Sequence, residues 1–305
     1  MTRELPVWRS LLFVPVNVER FVERAHTRGA DCIQLDLEDS VPPAEKERAR
    51  TLVRAAAARV RRGGADVIVR INRPIALAVR DVEAAVCADV SGLIIPKVAG
   101  PSHVKLIDEL ASELEQKAGL AAGHTRLVVS IETPQAFFDM PAIAGASPRV
   151  VGMDIGGEDF ALECGMQPDA EALMPHKQHM IVAARAAGVM PLGFLGSIAD
   201  FADWEAFRAM ARRSRRLGFD GASCIHPGQV KIVNEEYTPG ADEVAYAERV
   251  VEGDCEARKA GRASFQIDGK MIDVPVVERA LRLLARHAAI KAREAKTLAA
   301  TGSGD

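Results

Sequence analysis

Short runs of aliphatic and β-branched residues alternate along this chain with longer segments rich in Ala, Glu and Arg. The short runs have the length and composition of strands and the longer ones the period of amphipathic helices. Strands are predicted over residues 10–14, 32–37, 66–71, 92–96, 127–131, 150–155, 190–195 and 221–225, which makes eight. Most are apolar at successive positions, as strands covered by helices on their outer side must be. Helices are predicted between them over 18–28, 43–62, 77–88, 103–118, 135–144, 170–187 and 203–216. Strict alternation of this kind reads as a (β/α)8 TIM barrel of the usual ~250 residues with an extension. A doubly wound open sheet is the alternative, but no Gly-x-Gly-x-x-Gly follows the first strand.

The alternation stops after Gln229. Residues 234–263 read as loop and surface helix. Ser264-Phe265-Gln266-Ile267 and Lys270-Met271-Ile272 flank Asp268-Gly269, a two-residue hairpin signal. A last amphipathic helix is predicted over 276–297. The expected organisation is a barrel domain over 1–233, a hairpin-plus-helix extension over 234–300 that packs on a neighbouring subunit, and a disordered tail at 301–305.

In a parallel barrel, chemistry gathers where strands end. The second strand ends in Asp36-Leu37-Glu38-Asp39-Ser40, the third in Arg70-Ile71-Asn72-Arg73 and the fourth in Pro96-Lys97. The fifth runs into Glu132, the sixth into Glu158-Asp159 and the eighth into His226-Pro227. Each has a structural alternative. Asp39 or Ser40 can cap the helix that starts at Pro42-Pro43, Arg70 can be an interior ion-pair partner, and Glu132 can be the acidic residue at a helix start. Together they place three acidic clusters and an arginine at one mouth. Few protein oxygens, completed by water and substrate, suit a magnesium ion, and a cation beside an arginine suits an enolate. Lys97 is a conceivable Schiff-base nucleophile, and equally an electrostatic or structural residue.

Composition narrows this. The chain has 305 residues, 48% of them hydrophobic, enough for a large core. A formal net charge of -3 and 5% aromatics point away from nucleic acid and from membrane surfaces. Five scattered cysteines, with no Cys-x-x-Cys, read as free thiols of a reducing cytosol. With no signal-peptide core and no apolar run near ~20 residues, a cytoplasmic protein is expected. Zinc-ligand spacing, a Walker loop and Gly-x-Ser-x-Gly are all absent from the sequence.

The ordered motifs carry a resemblance. Leu12-Phe13-Val14-Pro15, Leu35-Asp36-Leu37-Glu38-Asp39-Ser40-Val41, Val69-Arg70-Ile71-Asn72, Ile95-Pro96-Lys97, Ile131-Glu132-Thr133, Gly157-Glu158-Asp159, Cys224-Ile225-His226-Pro227 and Asp268-Gly269-Lys270-Met271-Ile272-Asp273 occur in that order. Over roughly residues 9–290 the chain resembles the HpcH/HpaI aldolase and citrate lyase β-subunit superfamily, in its stand-alone citrate lyase β-like branch. The resemblance implies a magnesium-dependent carbon–carbon lyase that acts on a 3-hydroxyacyl-CoA thioester such as citryl-, malyl- or citramalyl-CoA. It implies Glu132 and Asp159 as metal ligands, and it alone selects Asp159 over Glu158 and Asp154. It implies Arg70 and Asp273 as catalytic, with Asp273 reaching the site from a neighbouring subunit of a homotrimer or hexamer. Without the resemblance, Asp273 reads as an N-cap before Pro275. Glu38, Glu132, Arg70 and the Gly156-Gly157 backbone are the implied substrate contacts, and the partners are an acyl-CoA thioester and a keto acid. The alternatives are a pyruvate-forming class II aldolase acting without CoA, and a non-catalytic citrate lyase-like subunit.

The chain departs from the family pattern in three places. The first strand is followed by Pro15-Val16-Asn17-Val18-Glu19-Arg20, where many relatives carry a Pro-Gly-Asn-Arg-Pro-type loop. Glu23-Arg24-Ala25 stands where relatives often have Lys-Ala, and Asp200-Phe201-Ala202-Asp203 follows the seventh strand.

Overall fold

Eight parallel strands close on themselves in the computed structural model, which describes residues 4–196 and 203–302. They are β1 (Ser10–Pro15), β2 (Cys32–Asp36), β3 (Asp66–Arg70), β4 (Gly92–Ile95), β5 (Arg126–Ile131), β6 (Val150–Ile155), β7 (Met190–Pro191) and β8 (Ala222–Cys224). Neighbours in sequence are neighbours in the sheet, and β1 pairs with both β2 and β8. A parallel bridge between Leu192 and Gly221 joins β7 to β8 and completes the ring. Gly221 fits there because a Cβ would stand 1.8 Å from the Trp8 carbonyl oxygen. The fold is a (β/α)8 barrel. The Asp200–Ala202 departure lies outside the described residues, as does the end of the tail, 303–305.

The β7 strand is shorter than its apolar run predicts. Pro191 has no amide to donate, and Gly193 turns the chain at φ 133°. The predicted helix over 135–144 is two short helices, Pro134–Phe138 and Met140–Gly145, the second with Pro141 in its first turn. A helix over Gly157–Cys164 lies where none was predicted; it ends at Gly165, at φ 68°.

Period-two alternation sorts the strand residues into two cores. Leu12, Ile33, Leu35, Val69, Leu93 and Val129 face outward and pack beneath the helices. Leu11, Cys32, Ile68, Ile94, Val128 and Leu192 face inward and, with Trp8, form an apolar floor. Toward the strand ends the same inward row turns polar, at Gln34, Asp36, Arg70, Ser130 and Glu132, all buried or half-buried. The chain thus plugs its barrel with hydrocarbon at one end and lines it with charge at the other.

A second compact unit spans Thr238–Asp305. Helices Ala241–Lys259 and Val274–Gly302 flank a hairpin of β9 (Phe265–Ile267) and β10 (Lys270–Ile272). Asp268 and Gly269 both take positive φ, 51° and 75°, the turn that Asp-Gly favours. Ala247, Val250, Ile267, Ile272, Val277 and Ala280 form this unit's own core. No helix among the described residues is long and apolar enough to cross a membrane, and all five cysteines are free.

Candidate active site at the strand ends

Parallel register places the first charged pair. Asp36 and Arg70, the last residues of β2 and β3, are partners across the ladder. Arg70 Nε and Nη2 donate to the two oxygens of Asp36, each at 2.7 Å, in a two-pronged bond that fixes the plane of the guanidinium. Asp36 also accepts the backbone N–H groups of Glu38 at 3.0 Å and Ser40 at 3.1 Å. Burial works against its charge, but Arg70 and these donors hold its carboxyl below the usual value. Arg70 Nη1 lies 3.1 Å from Glu38 and 3.3 Å from Asp39, and its Cζ sits 4.7 Å from the Phe13 ring centroid. Arg70 is therefore both an interior ion-pair partner and a cation presented at the mouth. Asp39 and Ser40 do not cap the next helix; Pro42 stands at that position.

Lys97 forms the second centre. It follows β4 at φ 45°, a left-handed conformation that side chains rarely adopt, and Arg73 Nε holds its carbonyl at 3.0 Å. Its ammonium lies 3.1 Å from Glu38, 3.4 Å from Glu132 and 3.4 Å from Asp159. Burial opposes the charge on Lys97, but Glu132, Glu38 and Asp39 outweigh it and push the pKa up. For Glu38 burial prevails over Arg70 and Lys97, and its carboxyl is pushed up to about 7. This constellation uses Lys97 as a counter-ion.

Glu132 and Asp159 both reach the Lys97 ammonium, by different routes. Glu132 follows β5 and is buried; Thr133, not Glu132, caps the next helix by accepting from the Ala136 N–H. Burial pushes the Glu132 carboxyl up, and Lys97 offsets this in part. Asp159 lies in the first turn of helix Gly157–Cys164 and is half-exposed. Gly156 permits the arrangement, since a Cβ there would stand 2.6 Å from Glu132 Cγ. Gly156 and Gly157 both line the pocket beside Glu132.

Glu132 Oε2 is buried and accepts no hydrogen bond; the Lys97 ammonium 3.4 Å away balances its charge without filling its lone pairs, which a hard cation can use. Two carboxylates, one buried and one open to solvent, with space for water and substrate oxygens, fit a small hard divalent ion. Asp273, the last expected residue, belongs to the second unit. It directly precedes helix Val274–Gly302, and its carbonyl accepts the N–H groups of Val276 and Val277 at 3.1 Å, the position of an N-cap.

Two cavities meet at Arg70. One, of about 230 Å³, is lined by Arg70, Glu132, Asp154, Asp159 and Lys177 among others. The second is a groove of about 900 Å³ that includes Phe13, Arg70 and His226, with Arg20, Arg24 and Arg28 along it. Asp154 and Lys177 are residues that the strand-end reading missed. Asp154 lies within β6, not beyond it, and burial pushes its carboxyl up to about 6. Lys177 comes from the helix Ala170–Ala187. The available signal was periodicity, because Lys177 shares a helical face with the buried Leu173, Met180, Ile181 and Ala184.

Residues 9–227 match the HpcH/HpaI aldolase/citrate lyase family. The chain belongs to that family. It is an enzyme of a lyase family whose members include CoA-thioester enzymes. It is 33% identical over 279 residues to the citrate lyase subunit beta of Leuconostoc mesenteroides subsp. cremoris, covering 90% of this chain and 92% of that one. It is 32% identical over 295 residues to a (3S)-malyl-CoA thioesterase of Cereibacter sphaeroides, covering 96% and 99%. Among solved structures it is similar to the CitE protein of Mycobacterium tuberculosis in complex with magnesium, acetoacetate and coenzyme A. That match has TM-score 0.72 and 28% identity and covers 94% of this chain and 100% of that one.

Proposed function

We propose that this protein is a magnesium-dependent carbon–carbon lyase that cleaves, or in reverse forms, a 3-hydroxyacyl-CoA thioester through a thioester enolate. The observation that carries the reading is Arg70. It is clamped by Asp36 with one edge on the polar pocket of Glu132 and Asp159 and on the groove beside it. A cleavage that leaves an enolate needs a fixed cation at the thioester oxygen. Arg70 has that fixity: its guanidinium is held at two nitrogens and backed by the Phe13 ring.

Glu132 and Asp159 would hold the magnesium ion. Bound there, the ion supplies a Lewis acid for the hydroxyl and carboxylate of the acid half. Lys97 keeps the two carboxylates oriented toward a common point and limits their mutual repulsion. Gly156 and Gly157 line the pocket beside Glu132 and would be the backbone contacts of a substrate carboxylate. Glu38 would orient Arg70 and the substrate, being within 3.1 Å of Arg70 and of Lys97. As the hydroxyl proton passes to solvent water, the bond from the carbinol carbon to the thioester α-carbon breaks and its electron pair becomes the enolate. The keto acid forms, Arg70 carries the enolate charge, and Asp273 of a neighbouring subunit protonates the α-carbon. In the reverse direction Asp273 removes that proton. This use of Asp273 requires an oligomer, and the family resemblance implies a homotrimer or hexamer.

The groove supports the CoA reading over an aldolase acting on free hydroxy-keto acids. It is about 900 Å³, far larger than a small keto acid needs, and three arginines at intervals of four residues line it. Incubation with magnesium and a panel of hydroxyacyl-CoA thioesters should release a keto acid and an acyl-CoA. Glu132→Ala and Asp159→Ala should abolish magnesium-dependent turnover and leave the fold intact. Normal turnover in both variants refutes the metal assignment.

A further inference from the structure

Asp81 is a carboxylate outside the site described above. It lies on the buried face of the helix Ile75–Ala85, beside Ala78, Val82 and Ala85, and is 0% exposed. A carboxylate buried that far needs donors around it. Its Oδ1 accepts from Arg50 Nε at 2.8 Å. Its Oδ2 accepts the backbone N–H of Asn72 at 2.8 Å and the side-chain Nδ2 of Asn72 at 2.7 Å. Arg50 belongs to the helix Lys46–Val60, so one oxygen ties two outer helices together. The other oxygen orients an amide that stands two residues beyond Arg70.

Asn72 is itself buried, and its Nδ2 has a second hydrogen to place. It donates to the Leu37 carbonyl at 2.9 Å. Lys46 Nζ donates to the same carbonyl at 2.8 Å and to the Glu38 carbonyl at 2.6 Å. Two side chains thus grip two successive carbonyls with three bonds. The Leu37 N–H is also fixed, by the Arg70 carbonyl at 3.0 Å. This segment carries the Glu38 carboxylate, which lies 3.1 Å from Arg70 and 3.1 Å from Lys97. Asn72, Lys46 and Asp81 line neither cavity at Arg70, so they reach that site only through the backbone they hold.

We infer that Asn72, oriented by Asp81 and assisted by Lys46, is a positioning residue that holds the Leu37 and Glu38 carbonyls so that the Glu38 carboxylate stands between Arg70 and Lys97. For its effect on turnover the inference rests on the lyase reading above. An Asp81–Asn72 pair that only joined helices to the barrel would change stability and leave Glu38 where it is.

The test combines turnover of hydroxyacyl-CoA thioesters with amide hydrogen exchange of the full chain. The proteins are wild type, Asn72→Ala, Lys46→Met, Glu38→Gln and the double variant Asn72→Ala with Glu38→Gln. The N–H groups of Leu37, Glu38, Ser40 and Val41 are all hydrogen-bonded, so their exchange reports on the segment. In Asn72→Ala they should exchange at least about tenfold faster, while β5 and β6 exchange as in wild type. Its kcat should fall about tenfold, with KM within about twofold. In the Glu38→Gln background the same substitution should cost less than about twofold more, because the charge it positions is already gone. Lys46→Met should follow Asn72→Ala and serves if that variant does not fold. Unchanged exchange of the four N–H groups, or a loss of kcat equal in both backgrounds, overturns the inference. Absence of thioester cleavage by wild type overturns the lyase reading, and the exchange result then decides the positioning by itself.

Discussion

Replacing Asp36 by Asn probes the most constrained ion pair of the rim. Asp36 is 1% exposed and takes two bonds of 2.7 Å from Arg70. Asparagine keeps the shape and one acceptor oxygen, removes the charge and turns an amide NH2 toward a guanidinium. Losing one partner of a buried pair costs about 3–5 kcal/mol, because the other charge stays buried without compensation. Glu38 and Asp39 remain near Arg70 and soften the loss, so about 2–3 kcal/mol is expected for Asp36→Asn. Arg70→Met strands the opposite charge at similar cost. The double variant has neither stranded charge and should lose less than the sum, with a coupling energy of about 2 kcal/mol. Both tryptophans, Trp8 and Trp204, lie in the barrel unit, so their fluorescence in urea reads that unit's unfolding. Turnover of Asp36→Asn should fall about tenfold to a hundredfold, since Arg70 loses its fixed plane. A coupling energy below about 0.5 kcal/mol, together with wild-type turnover, would refute the clamp.

Other expectations follow from the same contacts. Gly156→Ala should displace Glu132, cost about 1–3 kcal/mol and abolish the thermal shift produced by magnesium; an unchanged shift would show that the Gly156–Glu132 contact does not position the carboxylate. Burial opposes the charge of Glu115, but Arg149 and the N–H groups of Thr125 and Gly123 lower its pKa to about 2. A depressed folded pKa gives stability that is present above the ordinary value of 4.5 and is lost as pH falls from there toward 2. Glu115→Gln should therefore lower the urea midpoint at pH 7 and flatten its dependence between pH 5 and pH 3, and an unchanged slope would count against the pair. Arg24→Glu should raise the KM for CoA thioesters about tenfold with little effect on stability, whereas a KM that stays put would remove that arginine from the CoA path.

Much of the barrel was legible because its signal is local. Apolar runs of strand length, separated by helical periods, locate the eight strands to within one or two residues at most ends. Strand seven is the exception, where Pro191 removes a ladder donor. The two short helices over 134–145 and the helix over Gly157–Cys164 differ from the periodic pattern for local reasons also: a proline in the second of the former, and only eight residues in the latter. The charged strand ends are visible as a set, and the resemblance carried by the ordered motifs implies roles for them.

By itself the sequence determined which side chains stand at the rim, because a strand end followed by a helix can only point there in a parallel barrel. Their partnerships needed the tertiary structure. Asp36 meets Arg70 across 34 residues because β2 and β3 pair in that register. Lys97 gathers Glu38, Glu132 and Asp159 from three other strand ends because it leaves β4 in a left-handed turn. Lys177 enters the pocket from a helix packed outside β6 and β7, a contact that no strand-end inventory contains. Hydrophobic period is set by neighbours along the chain, but the state of a buried charge is set by neighbours in space, and ring closure chooses those.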